Sequence, residues 1–171
     1  SFHDHQRVKI YDANGTELAV LGTGSSSNDN GNFYHPFGIS FDSGGNFHVA
    51  DSHNHRIQVF DTNHSFVRSY GVYGERPVSP YGFEITPENT FLITDVERHR
   101  VFEIDENGTF LRLIATSGHS DGRVHNPRSV FLGHDNRIFH IAFRDTFDAM
   151  AQILGDDLRR IGVNHVIDFR H

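Results

Sequence analysis

Histidines are the residues of this chain best placed to do chemistry; there are 14 of them among 171 residues. His3, His5, His35, His53, His55, His99, His119 and His125 fall outside the apolar runs, in polar connecting stretches. Neutral imidazoles gathered at one place hold zinc or a similar ion. A thiolate site is excluded, because the chain has no cysteine. Two carboxylates recur as well: Asp51 and Asp95 each end an apolar run and precede an arginine by five residues, at Arg56 and Arg100. Such acids could bind calcium or act as bases. The preferred reading is that they accept hydrogen bonds from backbone and arginine and so fix a turn. No Ser-His-Asp set emerges, and "GTGSSS" at Gly22 resembles a phosphate loop in composition only, since no helix follows it.

These groups can act together only if the fold repeats, and it does. "HPFGISF" around Pro36, "SPYGFEI" around Pro80 and "NPRSVFL" around Pro127 are spaced by 44 and 47 residues. Each is followed by a turn ("DSGGN", "TPENT", "GHDNR") and a second apolar run ("FHVAD", "FLITD", "FHIAF"). A third run alternates with period two, "RIQVF" at Arg56 and "RVFEI" at Arg100, and "RVKIY" at Arg7 has the same form. Then come "DANGTEL", "DTNHSFV" and "DENGTFL", and the Asn-Gly pair of the first and last suggests a two-residue hairpin, followed by a fourth run. One unit is thus four short strands, a to d, in about 45 residues, which is the signature of a propeller blade.

The expected fold is therefore all-β, a β-propeller of four-stranded antiparallel blades. Residues 1–22 read as half a blade, 32–71 and 76–115 as complete blades, 123–162 as a degenerate blade and 164–169 as an extra strand. About three and a half blades are visible, which suits part of a larger, six-bladed ring of ~270 residues. Residues 147–161 also support a helix, with Phe147, Met150, Ala151, Leu154, Leu158 and Ile161 at helical spacing. Gly155 would cost that helix about 1 kcal/mol, and the strand reading is preferred. The polar stretch from Gly22 to Asn32 reads as a mobile loop.

"PFGISFDSGGNFHVADSHNHRIQVFDTNHSFVRSYG" resembles an NHL repeat, and the blade from Pro80 resembles it too. The resemblance implies a fold more than a function, since relatives include ligand sensors, RNA-binding domains, adhesion modules and zinc-dependent amidating lyases. In those lyases a zinc histidine directly follows the strand-a proline. Here those positions are Phe37, Tyr81 and Arg128. The lyase's catalytic tyrosine belongs to a b–c loop, where this chain has His53 and Glu97. No residue of that site carries over.

Hydrophobic residues make up 36% and charged residues 22% of the chain, within the range of globular domains. No apolar run is long enough to cross a bilayer, so no membrane insertion is expected. The net charge of −7 disfavours phosphate backbones, and the densest basic spots are the pairs Arg98/Arg100 and Arg159/Arg160. Nucleic acid therefore ranks last among partners. The reading is a non-catalytic binding or scaffolding module that presents its b–c and d–a loops to a protein partner, to a ligand or to itself. Its expected contact residues are His35, Phe37, His53, His55, Tyr73, Tyr81, His99, His125 and Arg128, with Phe33 and Tyr34 as further loop aromatics. The alternative is a metal-dependent lyase or hydrolase on the same ring. No cofactor is required by the binding reading; zinc or calcium is the class the alternative would take. Asn14, Asn63 and Asn107 are N-glycosylation acceptors in form, all at c–d turns, which leans the expected setting towards the extracellular side.

Overall fold

The computed structural model describes residues 6–71, 78–118, 123–133, 138–143 and 149–154. Nearly all regular structure is strand. β1 (Gln6–Tyr11) and β2 (Glu17–Gly24) form an antiparallel pair. β3 (Pro36–Phe41), β4 (Phe47–Asp51), β5 (Arg56–Phe60) and β6 (Phe66–Gly71) form a four-stranded sheet in chain order. β7 (Pro80–Ile85), β8 (Phe91–Asp95), β9 (Arg100–Ile104) and β10 (Phe110–Ser117) form another, and the short β11 (Arg123–Val124) adds to β10 in parallel. β12 (Pro127–Leu132), β13 (Ile138–Phe143) and β14 (Ala149–Leu154) form a third sheet. Residues 149–154 are thus strand, paired antiparallel with β13, where a helix was the competing expectation. The extra strand expected at 164–169 lies outside the described residues.

The chain divides into two compact units, residues 1–80 and 81–171. In the first, Val8, Phe33, Phe47, Val49 and Phe60 make the core, with Ile10, Leu21 and Phe66 packed against it. Phe47 and Phe60 stack at 5.2 Å. Phe33, expected as an exposed loop aromatic, is 0% exposed and packs 5.9 Å from Phe60. Burying a ring of this size is worth about 1.5–3 kcal/mol, more than a loop position could recover by display. In the second unit, Leu92, Val101, Ala115, Val124, Val130 and Ile138 form the core.

Among the described residues five hairpin turns share one geometry. In each, residue i donates its N–H to the carbonyl of i+4 and accepts from the N–H of i+3; the first residues are Asp12, Asp42, Asp61, Thr86 and Asp105. Only residue i+3 has positive φ: Gly15 (85°), Gly45 (83°), His64 (67°), Asn89 (60°) and Gly108 (85°). This corrects the two-residue hairpin expected for Asn-Gly, which needs positive φ at both central residues. A type I turn followed by one left-handed residue is used instead, with a bulge in the strand beside it at Ile10/Tyr11, Val59/Phe60 and Phe110/Arg112. The side chain at position i supports this loop, an aspartate in four turns and, in the fifth, Thr86, whose Oγ1 accepts the Thr90 N–H at 3.2 Å. Oδ1 of Asp12, Asp42, Asp61 and Asp105 accepts the N–H groups of residues i+2 and i+4, at 2.7–2.9 Å. Those bonds require the longer loop.

His48 on β4 is buried, with Nδ1 3.2 Å from the Tyr70 hydroxyl and Nε2 3.3 Å from Asp42 Oδ2. Burial pushes its pKa below the ordinary 6.5, against the pull of Asp42; Arg68 pushes the same way as burial. Burial also opposes ionisation of Asp42, but the bonds from Asn46, His48 and Gly44 together outweigh it and hold that carboxyl low. Burial raises the Tyr70 hydroxyl.

Gly82 on β7 lies so close to the next first strand that a Cβ there would sit 2.5 Å from the Arg128 carbonyl oxygen and 2.8 Å from Ser129 Cα. Backbone cannot yield as a side chain tip can. Gly82→Ala is therefore expected to destabilise the protein by about 1–3 kcal/mol, read as a lowered urea midpoint. A second expectation concerns pH. Because His48 has a lowered pKa when folded, the unfolded chain binds the extra proton first. Its contribution is complete above pH 6.5 and shrinks as pH falls below that value. Urea melts from pH 7.5 to 5 should show wild type losing stability more steeply than His48→Gln; parallel slopes would refute this.

Candidate functional site

Asp51 ends β4 and is 0% exposed. A buried carboxylate needs donors on both oxygens. Oδ1 accepts the Tyr34 N–H at 2.7 Å; Oδ2 accepts from Arg56 Nε (2.7 Å), Asn54 Nδ2 (2.9 Å) and Gln58 Nε2 (3.1 Å). Asp95, equally buried, accepts from Arg98 N (3.2 Å), Arg98 Nη1 (3.1 Å) and Arg100 Nε (3.0 Å). Of the uses open to these acids, the structure shows the turn-fixing one, with the expected arginines.

In the first unit this hub ties down the strap that leads into β3. The Tyr34 carbonyl accepts the His53 N–H (3.0 Å), and the His35 carbonyl accepts the Ser52 N–H (3.2 Å). The His35 N–H is donated to Gln6 Oε1 (2.5 Å). Gln58 spans Gly31 and Asn32, accepting from the former's N–H at 2.9 Å and donating to the latter's carbonyl at 2.6 Å. Arg56 Nη2 donates to the carbonyls of Asp29 (2.9 Å) and Asn32 (3.2 Å). The 22–32 stretch, expected as a mobile loop, is instead held by two side chains of β5. Gln6 and Gln58 were missed in the sequence; a buried glutamine carries no pattern there beyond its place on an alternating strand.

On this fixed strap the rings gather. His35 and His53 stack at 4.3 Å and 24°; Tyr34 stands edge-on to His53 at 4.8 Å and lies 5.2 Å from His35; Phe37 lies 6.2 Å from His35. All four are exposed, Tyr34 by 39% and Phe37 by 42%. His55 is turned away from this cluster. It occupies a left-handed position (φ 55°), with Nδ1 3.2 Å from the Val78 carbonyl, so that nitrogen carries the hydrogen.

In the second unit the equivalent His99 (φ 49°) has the opposite tautomeric need: its Nδ1 accepts the Asn126 N–H at 3.0 Å. His99 and His125 stack at 4.3 Å and 14°. The Arg128 guanidinium covers the half-buried Tyr81 ring at 5.1 Å. The structure thus brings His35, Phe37 and His53 together in one unit, and His99 with His125 and Tyr81 with Arg128 in the other. Tyr73, His3, His5 and His119 lie outside the described residues. Among the described residues no three His, Asp or Glu side chains are grouped as a metal site. Lone pairs lie in the imidazole plane, so near-parallel stacked rings do not aim theirs at one point.

Removing the hub's charge should loosen the strap. Asp51→Ala leaves half-buried Arg56 without its carboxylate and Asn54 and Gln58 without a shared acceptor, at an expected cost of about 3–5 kcal/mol in urea melts. Hydrogen exchange at the Tyr34 amide should accelerate more than global unfolding explains; an unchanged rate would sink the assignment.

Residues 33–60 match the NHL repeat family. No curated protein sequence matches the chain. Among solved structures, Kuenenia stuttgartiensis hydrazine synthase aligns at a TM-score of 0.60 and 14% identity, over 90% of this chain and 41% of that one. Virginiamycin B lyase from Staphylococcus aureus aligns at 0.57 and 15%, over 87% and 46%. A luciferin-regenerating enzyme aligns at 0.58 and 17%, over 87% and 51%. The chain thus spans about half or less of each. At such identities the likeness is one of fold. The chain has the β-propeller fold, with four-stranded antiparallel sheets as its blades, and its residues 33–60 match the NHL repeat.

Proposed function

We propose that the chain is a non-catalytic recognition module whose contact surface includes Tyr34, His35, Phe37 and His53. One observation carries this reading: four exposed rings gather, Tyr34, His35 and Phe37 on the strap and the start of β3, and His53 on the b–c turn, and the strap's backbone is hydrogen-bonded to Asp51 of β4, to that turn and to Gln6. Exposed aromatic rings are rich sources of binding energy at protein interfaces. A strap already ordered by Asp51 costs little further entropy on binding. The net charge of −7 favours a protein partner, or a second copy of the chain, over nucleic acid.

A metal-dependent lyase or hydrolase is the second reading. It draws on the names of two fold neighbours, a lyase and a luciferin-regenerating enzyme. Catalytic zinc takes three protein ligands and keeps one position open. The stacked pairs would supply two at most from the described residues.

The readings separate in one experiment. The protein is panned against a displayed random-peptide library, and the selected peptides are titrated against wild type and Phe37→Ala/His53→Ala. Loss of both exposed rings should weaken binding at least about tenfold, with an unchanged melting temperature. Peptides that bind the double variant equally well would remove this surface from the proposal. Zinc-dependent turnover abolished by His53→Ala would favour the second reading.

A further inference from the structure

The five equivalent turns contain an internal comparison. Positions i+2 and i+4 are Asn14/Thr16, Asn63/Ser65 and Asn107/Thr109 in the three c–d turns. In the two a–b turns they are Gly44/Asn46 and Glu88/Thr90. The backbone geometry is the same in all five, so the turn itself demands neither Asn at i+2 nor a hydroxyl at i+4. The bonding that closes it comes from backbone groups and, in four of the five, from the aspartate at i. Yet every Asn-x-Ser/Thr triplet in the chain falls on a c–d turn, and each of the three c–d turns among the described residues has one. The three asparagines are exposed.

A second regularity lies beside these tips. Two residues past each hydroxyl residue, strand d exposes a large apolar side chain: Leu18 (58%), Val67 (53%) and Leu111 (48%). β2 and β6 are edge strands. Exposed apolar edges pair with other chains unless something bulky or charged covers them.

We propose that Asn14, Asn63 and Asn107 carry N-linked oligosaccharides, which sheathe the c–d tips and the apolar strand-d surface next to them. The donor is a lipid-diphosphate-linked oligosaccharide. The asparagine amide nitrogen forms a bond to C1 of the first sugar and loses one proton to the medium. The C1–oxygen bond breaks, and the lipid diphosphate leaves with the bonding pair. The c–d tip and the b–c turn lie at opposite ends of β5, about 17 Å apart at a strand's rise per residue. The Asn63 sugar would thus be attached at the far end of strand c from the turn that holds His53, and this proposal does not rest on the recognition reading.

The test uses protein isolated from the cells that make it. Peptides are mapped by mass before and after peptide N-glycosidase treatment in heavy-oxygen water, which converts a glycosylated Asn into labelled Asp. Label at two or all three of Asn14, Asn63 and Asn107 sustains the proposal. Unmodified asparagine at two or more of them overturns it. With secreted recombinant protein, Asn14→Gln/Asn63→Gln/Asn107→Gln should migrate as deglycosylated wild type does; enzyme-sensitive wild type and an equally sensitive triple variant would overturn the site assignment.

Discussion

A carboxylate shut away from water must be met by donors on every side, and this requirement organises each complete blade. Asp51 and Asp95 end the second strand with no exposure at all. Their donors are drawn from what must be positioned: the arginine that opens strand c, the b–c turn and, for Asp51, the strap into β3. A buried ion pair of this kind adds little net stability, because desolvation offsets most of the attraction. Its contribution is geometric. Any displacement of the strap leaves a charge unmet, so the strap has one place to be.

Aspartate does a second, humbler job at the hairpin tips. There the side chain is near water, and its two backbone hydrogen bonds select a longer turn than the Asn-Gly pair would choose unaided. The Thr16 N–H bond, then that of Asn14, holds Asp12 below the usual carboxylate range, and the equivalent bonds do the same for Asp105. The same residue type thus fixes both ends of strand c, buried at one end and exposed at the other.

The repeat made much of this legible. Proline spacing, period-two runs and recurring Asp-x4-Arg located the strands and the ion pairs without any coordinates. Three things were hidden. Asn-Gly predicts a two-residue hairpin locally, and the competing cap two residues earlier reverses it. Phe33 sits in a polar stretch yet fills the core, because burial depends on which way the strap turns, not on its neighbours in sequence. The Tyr34–His35–Phe37–His53 cluster joins residues up to 19 positions apart through backbone bonds that leave no trace in residue type. Histidine counting located the loops that carry these rings, but nothing in residue type showed that His35 stacks on His53 and His99 on His125.

His55 and His99 occupy the same place in their repeats, yet each needs its hydrogen on a different nitrogen. In both copies the ring ties its b–c turn to the segment that leads into the next first strand, before Pro80 in one and before Pro127 in the other. His55 does so as a donor and His99 as an acceptor. A side chain able only to donate, or only to accept, would therefore close one of these joints and leave the other open.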